Sequence, residues 1–264
     1  MRVSTRLVSV LLFVACLFMS VPAQAITSGE PDGDAHPYVG LLVFQTGNTL
    51  LLCSGALVAP RVFLTAGHCT SGATRAWVSF APAYQPGTFP GAFVTGQPHA
   101  HPLYNEVNRN TYDIGVVILD SPVYLSRYAQ LPQAQLLDSY ATQRGLHDLF
   151  FTIVGYGTRS VKPFVEEGLV RYHAPTDLIT LSSALASGAH LQITGNPGNG
   201  RGGTCSGDSG GPALLEDSDT VTGVASFVLN QNCMGTSFYY RVDTQESLAF
   251  VNSYLAQVPA NITG

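Results

Sequence analysis

Charge is scarce in this sequence. Charged residues make up 11% of its 264 positions, against about a quarter in an average soluble protein. Lysine occurs once, at Lys162, and 17 acidic residues outnumber 12 basic ones. Proteins that bind nucleic acid or anionic membranes through charge need clusters of basic residues, so the composition argues against both kinds of partner.

Long apolar runs are also missing, since none reaches the roughly 20 residues that a membrane-spanning helix requires. The most apolar stretch, residues 7–19, follows two arginines and precedes the small-x-small sequence Ala23-Gln24-Ala25. This pattern predicts a signal peptide over residues 1–25 and a mature chain of residues 26–264. We expect a secreted protein, extracellular or periplasmic, without a membrane anchor after processing. A second cleavage sequence near Ala15-Cys16 leaves another amino terminus open.

Cysteine is rare as well, and its number limits the covalent framework. Five cysteines occur, of which Cys16 lies in the predicted signal peptide. The remaining four form an even set in an exported chain, which predicts two disulfides. Three pairings are available, and the simplest joins the sequence neighbours Cys53 with Cys69 and Cys205 with Cys233. A zinc site is the alternative, but zinc sites usually contain a Cys-x2-4-Cys pair, which this sequence lacks.

Short apolar segments, separated by Gly, Pro, Asn and Ser, fill most of the chain after residue 37. Brief strands at this spacing predict an all-β barrel or sandwich. Ten segments have this character: Val39 to Phe44, Leu50 to Leu52, Ala56 to Val58, Val62 to Leu64, Ile114 to Leu119, Phe150 to Val154, Leu169 to Tyr172, Ala213 to Leu215, Val221 to Val228 and Phe238 to Val242.

One helix is expected, at the end of the chain. Asp243 is the predicted amino-terminal cap, and Glu246 follows three residues later. Leu248, Val251 and Leu255 recur at helical spacing and predict an amphipathic helix. Residues 121–147 contain two prolines and few strand signals, so they are the predicted linker between two halves.

Three polar residues in distinctive surroundings predict nucleophilic catalysis. Ser209 lies in the run Gly207-Asp208-Ser209-Gly210-Gly211-Pro212, His68 directly precedes Cys69, and Asp113 begins an apolar strand. A serine hydroxyl becomes a nucleophile when a histidine takes its proton and a carboxylate orients that histidine. The backbone N–H groups of Gly207 and Ser209 could stabilise the oxyanion, with each donor contributing about 3 kcal/mol.

These three motifs, in the order His, Asp, Ser, resemble those of the chymotrypsin-like (trypsin-like) serine proteases. The resemblance covers the chain from Ile26 to the terminal helix. It implies two packed six-stranded antiparallel β-barrels with a C-terminal helix, the first over residues 26–135 and the second over 136–264. It implies a monomeric serine endopeptidase that cleaves peptides or proteins through an acyl-enzyme, with protein protease inhibitors as further partners.

The resemblance implies no cofactor and no metal. The segment from Thr70 to Tyr84 contains no Asp or Glu, so the acidic calcium loop of the family is not expected. His99 and His101 form another candidate pair of metal ligands, but no carboxylate or cysteine is spaced with them. We interpret them as solvated loop residues.

Activation is expected to depend on Ile26 and Asp208. In the resembled family, a new amino-terminal Ile turns inward and its ammonium pairs with the Asp before the nucleophile. Ile26-Thr27-Ser28-Gly29 resembles the family start, Ile-Val-Gly-Gly, and departs from it at two positions. Because the predicted cleavage follows Ala25 directly, we expect signal-peptide removal to create the active terminus without a propeptide. Activity should then fall at alkaline pH, where the ammonium loses its proton.

The resemblance also locates the primary specificity pocket. Gly203 stands six residues before Ser209, where trypsin-like enzymes carry an Asp, so cleavage after Arg or Lys is not expected. Val228 and Ser237 occupy positions where deep pockets have Gly, as in pancreatic elastases, and predict cleavage after small or medium apolar residues. An open pocket, with Val228 as core lining, is the alternative. The expected substrate-binding residues are Gly203, Thr204, Ser226, Phe227, Val228 and Ser237.

Two other functional classes fit part of the sequence. Gly207-Asp208-Ser209-Gly210-Gly211 also matches the nucleophile elbow of α/β-hydrolases, in which the catalytic His follows the Ser. The last histidine here is His190, before Ser209, and no alternation of strands and helices is visible. A binding module on an inactive protease fold is the other alternative, although such proteins usually lose a catalytic residue and this chain keeps all three.

Overall fold

The computed structural model describes residues 25–85, 87–107, 111–141, 149–158, 169–196, 199–229, 232–233 and 235–258. The predicted signal peptide falls outside these ranges, except for Ala25. That residue begins a distorted turn, Ala25–Ser28, in which Ile26 and Thr27 have non-helical backbone angles.

Six antiparallel strands of the amino-terminal half close into the first barrel, in the order β2-β3-β4-β7-β6-β5 with β5 pairing back to β2. Alternate side chains point into the barrel, where Leu42, Phe63 and Val117 are completely buried. The strands are β2 Val39–Thr46, β3 Thr49–Ala59, β4 Val62–Thr65, β5 Arg75–Ser79, β6 Val94–Ala100 and β7 Gly115–Leu119.

Six further strands close into the second barrel, in the order β8-β9-β10-β13-β12-β11 with β11 pairing back to β8. The short strand β1, Glu30–Pro31, adds to the outside of this barrel by pairing antiparallel with β9. The strands of the barrel are β8 Phe150–Gly155, β9 Tyr172–Thr180, β10 His190–Gly195, β11 Pro212–Leu215, β12 Val221–Val228 and β13 Gly235–Arg241.

The all-β prediction with two six-stranded barrels and a terminal helix is therefore confirmed. The apolar segments did not predict β5, β6 and β10, because these strands are short or carry polar residues along their length. The predicted segment Leu169 to Tyr172 overlaps β9 only at Tyr172. In the described part of the predicted linker, residues 121–141, lie the short helix α1, Asp138–Ala141, and a bridge from Gln130 to Thr220.

The terminal helix, α2, spans Gln245–Gln257 and buries Phe250 and Val251. Its cap was predicted wrongly, since Thr244 accepts the N–H of Ser247 through its side chain. Asp243 cannot serve because its buried carboxylate binds the guanidinium of Arg241 and the N–H of Leu137. No helix in the described ranges is both long and apolar enough to cross a membrane.

Two disulfides join Cys53 to Cys69 and Cys205 to Cys233. This is the pairing of sequence neighbours that the chain order suggested, and it is confirmed. The first bond ties the turn after β4 to β3, and the second ties the segment before β11 to the turn before β13. Both bonds therefore hold loops that border the space between the barrels.

Candidate active site

The two barrels bring together the polar residues that the sequence singled out. His68 lies in the turn after β4, and Asp113 lies just before β7, which pairs with β4 through Thr65 and Gly115. Ser209 lies in the loop that leads into β11 of the second barrel. His68 and Ser209 face one cleft of about 730 Å³, which residues of both barrels line.

Asp113 is completely buried and accepts hydrogen bonds from two sides. The backbone N–H of His68 donates to Oδ1 at 2.8 Å, and the ring atom Nδ1 lies 2.9 Å from Oδ2. The hydroxyl of Ser226 donates to Oδ2 at 2.6 Å. The carboxylate therefore fixes the position of the histidine ring and leaves Nε2 as its acceptor nitrogen.

The electrostatic surroundings of His68 act in opposite directions on its pKa. Burial lowers the pKa of the imidazole, while the charge and the hydrogen bond of Asp113 raise it, with a smaller contribution from Glu106. The net result is a pKa above the ordinary 6.5. The Asp113 carboxylate thus stabilises the imidazolium, the form that a base acquires when it accepts a proton.

The Ser209 loop packs directly on the first barrel. Ser54 donates its N–H to the Ser209 carbonyl at 2.7 Å and its hydroxyl to the Gly207 carbonyl at 2.9 Å. Gly210 has φ +78°, and a Cβ there would lie 2.0 Å from Oγ1 of Thr65. The glycine after Ser209 is therefore needed for both its backbone conformation and its close approach to the strand that precedes His68.

The backbone around Ser209 offers two free donors. Within the described residues, neither Gly207 nor Ser209 donates its N–H to another group. Two such donors could bind one developing oxyanion, as the sequence predicted. The described part of the chain contains no hydrogen bond between the Ser209 hydroxyl and the His68 ring, and catalytic hydrogen bonds of this kind often become short only when substrate binds.

Asp208, the residue before Ser209, points away from the cleft into the second barrel. Its side chain is buried and accepts the N–H groups of Gly157 at 2.8 Å and Cys205 at 2.9 Å. No ion pair with a cation is formed by Asp208 among the described residues. Burial raises the pKa of this carboxyl to about 7, although the two N–H groups lower it.

Ile26 lies in the core of the second barrel and is completely buried. Thr27 follows it and exchanges backbone hydrogen bonds with Gly203, at 3.0 Å and 3.2 Å. Asp208 belongs to the loop that begins just after Gly203. The fold therefore brings Ile26 and Asp208 into the same barrel, with one backbone pairing that links their two segments.

A second, smaller cavity of about 200 Å³ adjoins Ser209. Phe227 forms part of its wall and stacks on Phe238, with ring centroids 4.4 Å apart. Of the predicted pocket residues, Gly203 and Ser237 do not line this cavity, since Gly203 pairs with Thr27 and buried Ser237 accepts the N–H of Thr204. The lining residues are Thr204, Cys205, Ser206, Ser209, Ala225, Ser226, Phe227 and Val228.

Two features of the site were missed in the sequence. Ser226 was expected only to border the pocket, whereas its hydroxyl binds Asp113. Ser54 was not predicted, because the sequence around it contains no functional motif apart from the neighbouring Cys53. Ser226 lies on β12 and Ser54 on β3, and each contacts residues that are distant in the sequence. These contacts therefore follow from the packing of the barrels.

The interpretation of His99 and His101 as solvated loop residues was wrong for His99, which lies on a strand, whereas His101 lies in the loop after that strand and is half-buried. His99 lies on β6 with its ring centroid 4.9 Å from that of Tyr254, and His101 stacks on Tyr112 at 4.8 Å. Partial burial lowers the pKa of both imidazoles. These histidines therefore help to hold α2 and the segment before β7 against the first barrel.

Comparison with known proteins gives consistent matches over most of the chain. The sequence model of the family described as Trypsin matches residues 26–248. CLIP domain-containing serine protease B15 of Anopheles gambiae is 28% identical over 257 residues, which cover 86% of this chain and 70% of the relative. Chymotrypsin of Phaedon cochleariae is 27% identical over 210 residues, which cover 74% and 71%.

Solved structures agree in fold. HL collagenase aligns with a TM-score of 0.69 and 20% identity, over 88% of this chain and 98% of that one. Human heparin binding protein aligns with a TM-score of 0.63 and 18% identity, over 89% and 99%. At these identities the two structures support the fold alone.

Proposed function

Because the chain belongs to the trypsin family and is a serine endopeptidase, we propose that Ser209 is its nucleophile, His68 its general base and Asp113 the orienting carboxylate. The observation that carries this proposal is the buried Asp113, which holds His68 through both its backbone N–H and its ring. The ring and the Ser209 hydroxyl face the same cleft.

The reaction follows from these contacts. Nε2 of His68 accepts the Ser209 hydroxyl proton as Oγ attacks the carbonyl carbon of the substrate, and the resulting oxyanion accepts the N–H groups of Gly207 and Ser209. The peptide C–N bond then breaks, His68 gives the proton to the leaving amine, and an acyl-enzyme remains. Water attacks this ester, with its proton passing to His68, and the acid product leaves with Ser209 restored.

The small cavity beside Ser209 supports a preference for small or medium apolar residues before the cut bond. Its volume is about 200 Å³, and its named lining contains no charged side chain. Val228 forms part of the wall. A cavity of this size favours Ala or Val, with discrimination of about 1 to 3 kcal/mol per methylene.

Export and activation form the second part of the proposal. Signal-peptide removal after Ala25 makes Ile26 the amino terminus of a secreted enzyme, and its ammonium pairs with Asp208. The support is a buried carboxyl with raised pKa and no cationic partner among the described residues, in the barrel that already encloses Ile26. An ammonium there would favour the ionised carboxylate and order the adjacent Gly207 and Ser209 donors.

Labelling with a diaryl phosphonate tests the catalytic assignment. The exported protein should lose peptidase activity in proportion to labelling, and peptide mass spectrometry should find the adduct on Ser209. Ser209→Ala should abolish labelling, whereas Ser218→Ala, in an exposed turn, should label normally. Absence of an adduct in correctly processed protein would favour a binding module on this fold.

A panel of peptides that vary before the cut bond tests the pocket. Cleavage should be fastest after Ala or Val, and Val228→Gly should raise kcat/KM for Phe by about 10-fold or more by widening the cavity. Thr204→Ser, also in the lining, is the matched control and should not create a preference for Phe. A wild-type preference for Arg or Phe would contradict the proposed pocket.

A further inference from the structure

Three metal-ligating side chains meet on the outside of the second barrel, where the amino-terminal segment joins β9. The pairing of β1 with β9 sets Glu30 opposite His173. Asp32 follows β1 and is buried, and His36 lies four residues further on. The fold thus gathers two imidazoles and a carboxylate from segments that are distant in the sequence.

The donor atoms of this cluster converge on one point. Nδ1 of His36 lies 2.5 Å from Oδ1 of Asp32, and Nδ1 of His173 lies 3.2 Å from the same oxygen. All three donor atoms lie within 4.8 Å of one another. Nδ1 of His173 is buried, and its 3.2 Å contact with Oδ1 of Asp32 does not have the geometry of a hydrogen bond, so this polar atom has no well-formed partner within the described residues.

The surroundings hold the carboxylate in one orientation. Nε of Arg171 donates to Oδ2 of Asp32 at 2.7 Å, and the same guanidinium donates to the carbonyls of Val39 and Gly33. The backbone N–H of His36 also donates to Oδ2. Oδ2 is therefore occupied, and Oδ1 remains as the oxygen that both imidazoles face. Such outer contacts orient metal-binding carboxylates in proteins.

We propose that Oδ1 of Asp32, Nδ1 of His36 and Nδ1 of His173 bind one divalent ion of the zinc class. Tetrahedral zinc with ligands at 2.0 to 2.2 Å needs donor atoms about 3.3 Å apart. The Asp32–His173 distance of 3.2 Å is close to this value, the Asp32–His36 distance of 2.5 Å must widen by less than 1 Å, and the two imidazole nitrogens lie within 4.8 Å of each other. Two imidazoles and one carboxylate favour zinc or a neighbouring transition metal over calcium or magnesium.

A bound ion and a set of hydrogen bonds differ in which of the three donor atoms receive a partner. In a hydrogen-bonded arrangement both imidazoles would donate to Oδ1 of Asp32, which has two lone pairs, but the His173 contact does not have the geometry of such a bond. A metal ion accepts lone pairs from all three donor atoms at once, including the unpartnered Nδ1 of His173. Among the described residues, a second geometric cluster of potential ligands, Cys53, His68 and Cys69, cannot compete because its two cysteines form a disulfide.

Bound there, the ion would fasten the amino-terminal segment to the second barrel. The segment from Ile26 to His36 is held to the barrel by Thr27 near Gly203 and by β1 near His173. Arg171 already binds Asp32, and the ion would extend this attachment to His36 and His173. None of its three ligands lines either cavity beside Ser209, so the site is separate from the peptidase chemistry.

Titration of the chelator-treated protein tests the proposal, with Ser209→Ala present to prevent self-digestion. Zn²⁺ should bind with a stoichiometry of one by calorimetry, and Co²⁺ should give the visible bands of a low-symmetry tetrahedral site. At Zn²⁺ about 100 times Kd, the thermal midpoint should rise by about 5 to 10 °C. Zn²⁺ should also protect His36 and His173, but not His101, from diethyl pyrocarbonate, as measured by peptide mass spectrometry.

Substitution then locates the ion. The double variant His36→Gln, His173→Gln should lose Zn²⁺ binding, the thermal shift and the Co²⁺ bands. The matched double variant His99→Gln, His101→Gln should keep all three. The proposal would be overturned by a stoichiometry of zero. It would also be overturned if Zn²⁺ bound but left His36 and His173 as reactive towards diethyl pyrocarbonate as they are without Zn²⁺. Since protection is measured on the protein with both histidines intact, this outcome does not depend on how the variants fold.

Discussion

Asp113 and Asp208 are both buried carboxylic acids beside the same cleft, but they differ in the hydrogen-bond partners that the described residues give them. Asp113 faces His68 and Ser226, so a group that can carry positive charge lies within hydrogen-bond distance. Asp208 receives only two backbone N–H groups from the described residues, and burial raises its pKa. The fold alone thus positions the proposed base, whereas the proposed activation supplies a cation to the second acid.

This difference suggests a division of labour between the barrels. The first barrel supplies His68 and Asp113 as an arrangement that needs no processing. The second barrel supplies Ser209 and two N–H donors that have no acceptor among the described residues, in a loop next to Asp208. Activation by a new amino terminus would then act on the second barrel and leave the base unchanged. Substitutions at Asp113 and at Asp208 should therefore affect the base and the activation separately.

Asp113→Asn should have the largest effect, lowering kcat by about 10⁴-fold, because an amide cannot hold the correct tautomer of His68 or stabilise its imidazolium. Loss of the carboxylate also removes the main cause that raises the pKa of His68. The acid side of the pH profile should therefore move to lower pH. Steady-state kinetics between pH 5 and 9 measure both changes.

The matched control for that substitution is Asp177→Asn, at an ion pair with Arg201 on the outside of the second barrel. It should leave kcat within about twofold. If Asp113→Asn kept wild-type kcat with an unmoved acid limb, the orienting role of Asp113 would be wrong.

Asp208→Asn should lower kcat of the processed enzyme by about 10² to 10³-fold, the cost of misplacing an oxyanion donor. A chain that keeps extra residues before Ile26 should already be low in activity, and Asp208→Asn should lower it little further. Amino-terminal sequencing identifies the two forms. Equal activity of the forms with and without the extra residues would refute the Ile26–Asp208 pairing.

The buried Asp208 carboxyl should also make the free energy of unfolding depend on pH. In the unprocessed chain, the pKa of Asp208 is about 7 in the folded state and 3.8 in its ordinary setting. The folded state therefore holds the proton more tightly, and this contribution is complete below pH 3.8 and is lost as pH rises through about 7. The free energy of unfolding should decrease across this window by an amount on the order of a few kcal/mol.

Urea unfolding of the unprocessed Ser209→Ala protein from pH 4 to pH 8 measures this slope. Asp208→Asn should flatten it, and processing to Ile26 should reverse much of the loss at neutral pH. The Ile26 ammonium stabilises the processed protein only while it is protonated. Because the pairing raises the pKa of this amine, the stabilisation should disappear at alkaline pH. Identical slopes in all three proteins would show that Asp208 does not titrate in this window.

Ser226→Ala should have the smallest effect, lowering kcat by about tenfold through loss of the 2.6 Å hydrogen bond to Asp113. KM should change by less than about twofold, and Ser226→Thr should restore most of kcat. A loss that appears only in KM would assign Ser226 to substrate binding instead of positioning. Single-turnover kinetics separate these possibilities.

The sequence carried most of the information for these comparisons because the functional motifs are local. His68 beside Cys69, and Ser209 among glycines, are recognisable within a few residues, and the resemblance supplied the fold that joins them. The alternation of apolar segments was sufficient for an all-β fold. It did not reveal β6, where Gly96, Gln97 and Pro98 interrupt the apolar pattern.

What escaped prediction depends on partners that are distant in the chain. Asp243 has the right position for a helix cap, but Arg241 and Leu137 bind its carboxylate in the folded protein. The cluster of Asp32 with His173 exists only because β1 pairs with β9. Such contacts follow from strand pairing, whereas sequence patterns report the preferences of neighbouring residues.

Ser54 makes the enzyme sensitive to mechanical separation of its halves. From the first barrel it holds the carbonyls of both Gly207 and Ser209, and its hydroxyl also accepts the N–H of Tyr156. If the barrels move apart, the Ser209 loop loses these supports while each barrel keeps its own closed ring of strands. We expect a partly opened molecule to lose peptidase activity and to be cleaved by intact copies. Heat inactivation should then depend on enzyme concentration.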